Sequence, residues 1–233
     1  MSTSTYALIP GGGGDPWEWH RLVSELNSRG HDAIAIRLPA GDSAAGWSEY
    51  ASAAVEAVRD RDDVIVVGAS MGGFTAPIVC ALRPATLLVL VNAMVPVTGE
   101  TFHSWGTNTR YGSEQRAYHM KLGLPPDAMD DEAVIYYHDL PGDLRAEAQS
   151  RTWQHQSGQV LEEPWPLSTW PNVRTRVLSG RHDRLFPFEF QRRVAHERLG
   201  VEVDSVDAGH MMALSRPSDL ADWLEYYARE SRA

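Results

Sequence analysis

The stretch Val64-Ile65-Val66-Val67-Gly68-Ala69-Ser70-Met71-Gly72-Gly73 decides how the rest of the chain is organised. Four β-branched residues run into a glycine, a serine follows two positions later, and two more glycines precede a helical-looking segment over residues 74–83. A strand that turns sharply into a helix around Gly-x-Ser-x-Gly puts the serine at a strained apex. Gly68 and Gly72 lack the Cβ atoms that would obstruct the close passage of strand and helix. The hydroxyl then projects from the end of the sheet, and the helix N-terminus behind it favours negative charge. Ser70 is therefore the candidate nucleophile. Such a serine needs a base to take its proton, a third group to hold the base, and donors for the developing oxyanion.

Outward from this stretch the chain alternates strand and helix. Residues 6–10 form a short apolar run that ends in Gly11-Gly12-Gly13-Gly14. Pro16 opens a helix with Asp15 as N-cap, and Gly30 stops it. Residues 33–36 read as a strand, 47–58 as a helix, and 86–91 as an apolar run suited to a strand covered on both faces. The alternation predicts a parallel sheet with helices on both sides. It breaks near Val95. Residues 96–171 hold many aromatics and several prolines but no convincing strand, with helical patches at 114–121, 132–138 and 142–154. This segment reads as an insertion over the C-terminal ends of the strands. Alternation resumes with strands at 176–179 and 201–206 and helices at 187–199 and 213–227.

In a parallel sheet chemistry collects at the carboxyl ends of the strands. Of the nine histidines, His20 and His196 fall within helices and His31 precedes a strand. His210, in Asp207-Ala208-Gly209-His210, follows the last strand and is the candidate base. Asp183, in Gly180-Arg181-His182-Asp183, follows the strand before it and is the candidate acid; Asp204 and Asp207 are weaker alternatives. The Met71 N–H, at the start of the helix after Ser70, supplies one oxyanion donor, and the glycine run after the first strand supplies the other, with Gly12 preferred.

Bulk properties narrow the class. The chain has 233 residues, 43% hydrophobic and 22% charged, which suits one folded domain. A net charge of −10 with Lys121 as the only lysine argues against a nucleic-acid surface. Cys80 is expected in an apolar helix as a core residue. No apolar run reaches membrane-span length and the N-terminal residues lack a signal-peptide pattern, so the expectation is a soluble cytoplasmic protein without a membrane partner. No paired-cysteine, H-x-H or H-E-x-x-H pattern marks a metal site. The glycine run lacks a dinucleotide fingerprint because Pro16 occupies the third glycine position, and neither run carries the Gly-Lys-Ser/Thr of a phosphate loop.

Together, Gly68-Ala69-Ser70-Met71-Gly72, Gly180-Arg181-His182-Asp183 and Gly209-His210 resemble the α/β-hydrolase fold superfamily in its Ser–Asp–His order. Trp17-Glu18-Trp19-His20 looks like its small esterase and hydroxynitrile-lyase branch. The resemblance implies a three-layer α/β-hydrolase fold, with a mostly parallel six-stranded sheet and helices on both faces. It implies one domain, with a core of residues 1–95 and 172–233 and a helical cap at 96–171. It assigns Ser70, Asp183 and His210 as the triad and Gly12 and Met71 as oxyanion donors, with no cofactor. Cap aromatics Trp105, Tyr111 and Trp153 are candidate pocket residues. The expected activity is carboxylesterase-like hydrolysis of a small, moderately apolar ester or thioester. Carbon–carbon hydrolysis, a lyase reaction and a non-catalytic receptor are the alternatives, and a homodimer is left open. Two departures matter. The family's His-Gly at the oxyanion loop is Pro10-Gly11 here, which leaves the loop's support unassigned. The lysine and threonine of plant hydroxynitrile lyases are replaced by Met211 and Gly11, which argues against cyanohydrin cleavage.

Overall fold

Six apolar or half-apolar runs come together in the computed structural model, which describes residues 3–232. They are β1 (Thr5–Ile9), β2 (Asp32–Ala35), β3 (Val64–Ala69), β4 (Leu87–Val91), β5 (Thr175–Gly180) and β6 (Val203–Val206). Their order is β2-β1-β3-β4-β5-β6, and every neighbouring pair is parallel. The sheet expected as mostly parallel is parallel throughout. Eleven helices surround it among the described residues. Those before β4 are α1 (His20–Ser28), α2 (Trp47–Ala57) and α3 (Gly72–Leu82). Between β4 and β5 lie α4 (Phe102–Asn108), α5 (Tyr111–Lys121), α6 (Glu132–Ile135), α7 (Gly142–Ser150) and α8 (Gly158–Glu162). The last three are α9 (Phe188–Leu199), α10 (Met212–Ser215) and α11 (Pro217–Arg232).

The central strands are apolar at consecutive positions because both of their faces are covered. Alternate side chains leave the sheet in opposite directions. Ile9, Val66, Leu88 and Leu90 join the core on the side of α2, α3 and α9. Leu8, Ile65, Leu87 and Val89 join Leu22 and Leu26 of α1 and Leu220 and Leu224 of α11 on the other. Each such side chain contributes about 1.5–3 kcal/mol on leaving water. The edge strands β2 and β6 keep part of their surface exposed and carry Asp32 and Asp204.

Helix boundaries follow local chemistry. Asp15 caps a 3₁₀ turn, Pro16–Trp19, by accepting from Trp17 N–H at 2.9 Å. The final helix, expected as one segment over 213–227, is two. Pro217 cannot follow a helical Arg216 without a clash, so α10 ends and α11 starts at the proline. Between β4 and β5 no strand forms among the described residues. α5 and α7 match two of the expected patches, α6 is shorter than its patch, and α4 and α8 were not anticipated. Cys80 lies in α3, half-buried against the core, and burial pushes its thiol up to about 12. No described helix is long and apolar enough to cross a membrane.

The strand order positions the site. From β1 the chain passes to β2 on one side and then crosses to β3 on the other. The loops after β1 and β3 therefore diverge and leave a crevice at the carboxyl ends of the strands. The segment between β4 and β5 covers that crevice and is tied to the core by buried polar contacts. Trp165 Nε1 donates to Phe74 O at 2.9 Å, Trp105 Nε1 donates to Val95 O at 3.1 Å, and Glu100 pairs with Arg198 at 2.6 Å.

Candidate active site

Ser70 stands between β3 and α3 at φ 50°, a left-handed conformation that costs a non-glycine residue roughly 1–3 kcal/mol. Its neighbours hold it there. Ser70 N–H donates to Val91 O (3.3 Å), and Ser70 O accepts from Gly73 N–H (3.1 Å) and Met94 N–H (2.9 Å). A Cβ on Gly72 would stand 2.7 Å from Pro10 O and one on Gly68 2.8 Å from Ala76 Cβ. Only glycine lets strand, turn and helix pass this closely. Among the peptide N–H groups near Ser70, those of Gly12 and of Met71, at the N-cap of α3, have no hydrogen-bond partner among the described residues. Flanking peptides of the glycine loop are engaged: Gly11 N–H donates to Glu18 Oε1 (3.2 Å), Gly13 N–H to Gln156 Oε1 (2.9 Å) and Gly14 N–H to Gly11 O (3.2 Å).

Asp183, in the loop after β5, is fully buried. Its Oδ1 accepts from the N–H groups of Leu185 (2.8 Å) and Phe186 (2.9 Å), and its Oδ2 meets His210 Nδ1 at 2.8 Å. With both oxygens acting as acceptors, Nδ1 carries the ring proton and Nε2 is left as the basic atom. Tyr136 and Phe186 both meet the His210 ring edge-on, with centroids 5.5 Å away. Ser70 and His210 line one cavity of about 630 Å³ together with Gly12 and Met71. No hydrogen bond joins Ser70 Oγ to His210 Nε2. Such bonds tighten when substrate binds. The competing carboxylates are occupied elsewhere: Asp204 accepts from Tyr227 Oη (2.6 Å), and Asp207 pairs with exposed His182 (2.5 Å).

Trp105, Tyr111 and Trp153 all line the cavity. Trp105 is also a buried anchor of the covering segment, within 6 Å of the rings of Tyr111, Phe186 and Phe190. The apolar wall further includes Met94, Phe102, Leu161 and Leu185, and among the described residues no lysine or arginine contributes to the lining.

Three positions escaped the reading of the sequence. Asn92, buried at the end of β4 with φ 46°, accepts from Gly180 N–H (2.7 Å) and donates to Gly209 O (3.1 Å) and His210 O (2.9 Å). It thereby ties the loop after β5 to the loop after β6. A polar residue directly after a run of five apolar ones was the available signal. Asp139, before α7, accepts from Gly209 N–H at 2.7 Å and fastens the covering segment to the same loop; nothing in its local sequence marks it. Glu18 lines the cavity beside the glycine loop. Burial is the main cause that pushes its carboxyl up to about 8; the nearby Asp15 charge adds to it and the Gly11 N–H opposes it. A carboxylate set between Trp17 and Trp19 was the clue.

Comparison with known proteins matches residues 7–223 to the model of the alpha/beta hydrolase family. An alpha-hydroxynitrile lyase of Arabidopsis thaliana is 29% identical over 245 residues, spanning 92% of this chain and 93% of that protein. The crystal structure of polyneuridine aldehyde esterase superposes with a TM-score of 0.79 at 20% identity, covering 97% of this chain and all of that one. A pyrethroid hydrolase from Sphingobium faniae JZ-2 gives 0.75 at 19% identity, with 98% of each chain covered. At these identities the two structures speak for the fold.

Proposed function

The chain belongs to the alpha/beta hydrolase family, and on that premise we propose that it is a serine hydrolase cleaving a small, moderately apolar carboxylic ester or thioester through an acyl-enzyme on Ser70. The observation that carries the reading is the buried Asp183–His210 pair at 2.8 Å, opening onto the cavity that Ser70 lines. Ser70 Oγ attacks the carbonyl carbon while His210 Nε2 takes its proton. Asp183 holds the imidazole in the required tautomer and stabilises the imidazolium. The N–H groups of Gly12 and Met71 receive the oxyanion; being unengaged in the resting fold, they need no partner broken first. His210 returns the proton to the departing alkoxide or thiolate. Water then attacks the acyl group with His210 again as base, and Ser70 leaves with its proton restored.

A fluorophosphonate should label wild-type protein on Ser70, and Ser70→Ala should both abolish labelling and lower ester turnover on the order of 10³-fold or more. Wild-type turnover of a p-nitrophenyl ester by Ser70→Ala would sink the reading.

The lyase relative favours a second reading, carbon–carbon cleavage on the same residues. Against it, Met211 lines the cavity next to His210 and no lysine or arginine does among the described residues, so a cyanide leaving group has no fixed cation there to stabilise it. Cyanide release from an aromatic cyanohydrin, measured beside ester turnover, separates the two.

A further inference from the structure

The loop that carries Gly12 is gripped on both sides, and one grip is a carboxyl group. Gln156 Oε1 accepts from Gly13 N–H and Glu18 Oε1 accepts from Gly11 N–H. Gly11 in turn abuts the nucleophile: a Cβ placed on it would lie 2.9 Å from Ser70 Cβ and 3.4 Å from Ser70 Oγ. One residue thus separates the Glu18 carboxyl from the place where negative charge develops. Glu18 also takes over the support of the oxyanion loop, where Pro10-Gly11 stands for the family's His-Gly.

Among the described residues no lysine or arginine lines the cavity beside this carboxyl. The titratable groups that line the cavity with it are His103, His210, Glu132, Tyr111, Tyr136 and Tyr137. Within its own turn the neighbouring charge is Asp15, and the nearby guanidinium groups of Arg151 (3.3 Å) and Arg37 (3.7 Å) are directed to Asp15. Tyr137, across the cavity, has its phenol raised chiefly by burial, with Glu132, Tyr136 and Glu18 adding to it. A carboxylate here would repel the oxyanion through a medium of low dielectric. A neutral carboxylic acid keeps the Oε1 acceptor for Gly11 without that opposition.

Building on the reading of Ser70 as nucleophile, we propose that Glu18 is a positioning residue of the oxyanion loop that works only as the neutral acid, so that its ionisation closes the site from the alkaline side. The shift of its carboxyl to about 8 sets the window. Below it the loop is held without a competing charge; above it a negative group stands beside the oxyanion site. The linkage to stability has a definite sign. The folded-state value lies above the unfolded reference near 4.3, so the stabilisation is complete below about pH 4.3 and is lost as pH rises through about 8.

The test compares kcat/KM for p-nitrophenyl acetate from pH 6 to 10 in wild type, E18Q, E18L and S70A, with thermal unfolding of wild type and E18Q from pH 4 to 10. Wild type is expected to fall about tenfold or more between pH 7 and 10, as one ionisation near 8 requires. E18L, which removes the acceptor for Gly11, should lose about tenfold at pH 7 with KM little changed. E18Q keeps an acceptor and cannot ionise, so it should recover most of that loss and show no alkaline fall. The Tm advantage of E18Q over wild type should grow from pH 4.5 to 8 and then level off. An alkaline fall in E18Q equal to that of wild type, or a Tm difference that does not change with pH, would overturn the proposal. So would a folded E18Q no better than E18L. Full turnover by S70A would instead overturn the reading of Ser70, and this proposal with it.

Discussion

The two walls of the cavity are built on different principles. One wall is the edge of the sheet, where Ser70, Asn92, Asp183 and His210 each follow a strand whose register is set by its parallel neighbours. Their side chains are held by short contacts: Asp183 by two peptides and one imidazole, Asn92 by three backbone groups. The other wall is the segment between β4 and β5, whose contribution is aromatic rings packed in tilted and edge-on pairs. Geometry to within fractions of an ångström belongs to the first wall, and shape and apolar character to the second. Substitutions on the first should therefore act on kcat, and those on the second on KM and chain-length preference.

The sharpest way to break that division is at Asp183, the proposed acid. Asp183→Asn keeps the side-chain shape and the Oδ1 acceptor for Leu185 and Phe186, but turns an N–H toward His210 Nδ1. The imidazole must then place its proton on Nε2, the atom that has to accept from Ser70. A loss on the order of 10⁴-fold in kcat is expected, with the fold intact by circular dichroism. A loss confined to KM would contradict the assignment of the two walls.

Asn92 is the next largest effect, and it tests whether positioning alone is costly. Asn92→Ala leaves Gly180 N–H, Gly209 O and His210 O without their side-chain partner in a buried place. Each unpaired group costs roughly 1–3 kcal/mol, less where water enters. A stability loss of about 2–4 kcal/mol in urea unfolding and a fall in kcat of about tenfold are expected. Asn92→Asp keeps the acceptor for Gly180 but removes both donated bonds, so it should not restore activity. Recovery by Asp would mean that the tie to the His210 loop does not matter.

The same contrast explains what is legible in the sequence alone. β3 and β4 announce themselves because a strand buried on both faces has to be apolar without interruption. Ser70 is legible because only glycines allow its turn, and their spacing survives in the sequence. Asp183 and His210 are legible by order along the chain, since residues after successive parallel strands must arrive at one edge. Asn92 and Asp139 are not, because their roles are bonds to peptides 88 or 117 and 70 positions away, and a peptide carries no sequence signature. The helices between β4 and β5 are unevenly legible for a different reason: α5 and α7 are long enough to show in the sequence, whereas α4 and α8, of 7 and 5 residues, are too short for an apolar period to repeat. The break at Pro217 was readable and was overridden by the apolar pattern on both sides of it.

The smallest expected effect separates two tryptophans of the same wall. Trp105 is 2% exposed, donates to Val95 O and meets the rings of Tyr111, Phe186 and Phe190. Trp153 is half-buried, edge-on to Trp17 at 5.7 Å, with the Arg151 guanidinium over both rings. Trp105→Ala removes a core side chain and should destabilise by about 3–5 kcal/mol, raising KM for every acyl chain because the whole wall shifts. Trp153→Ala removes lining without removing core. Its stability cost should be about 1 kcal/mol or less, and KM should change only a few-fold. The direction depends on where the acyl chain lies. If the chain extends toward Trp153, long-chain p-nitrophenyl esters should gain relative to acetate when the indole is removed. If it extends toward Trp105, the ratio of long-chain to acetate kcat/KM should stay within about twofold of wild type. Measuring that ratio in the two variants assigns the acyl side of the cavity even though neither side chain touches the reacting atoms.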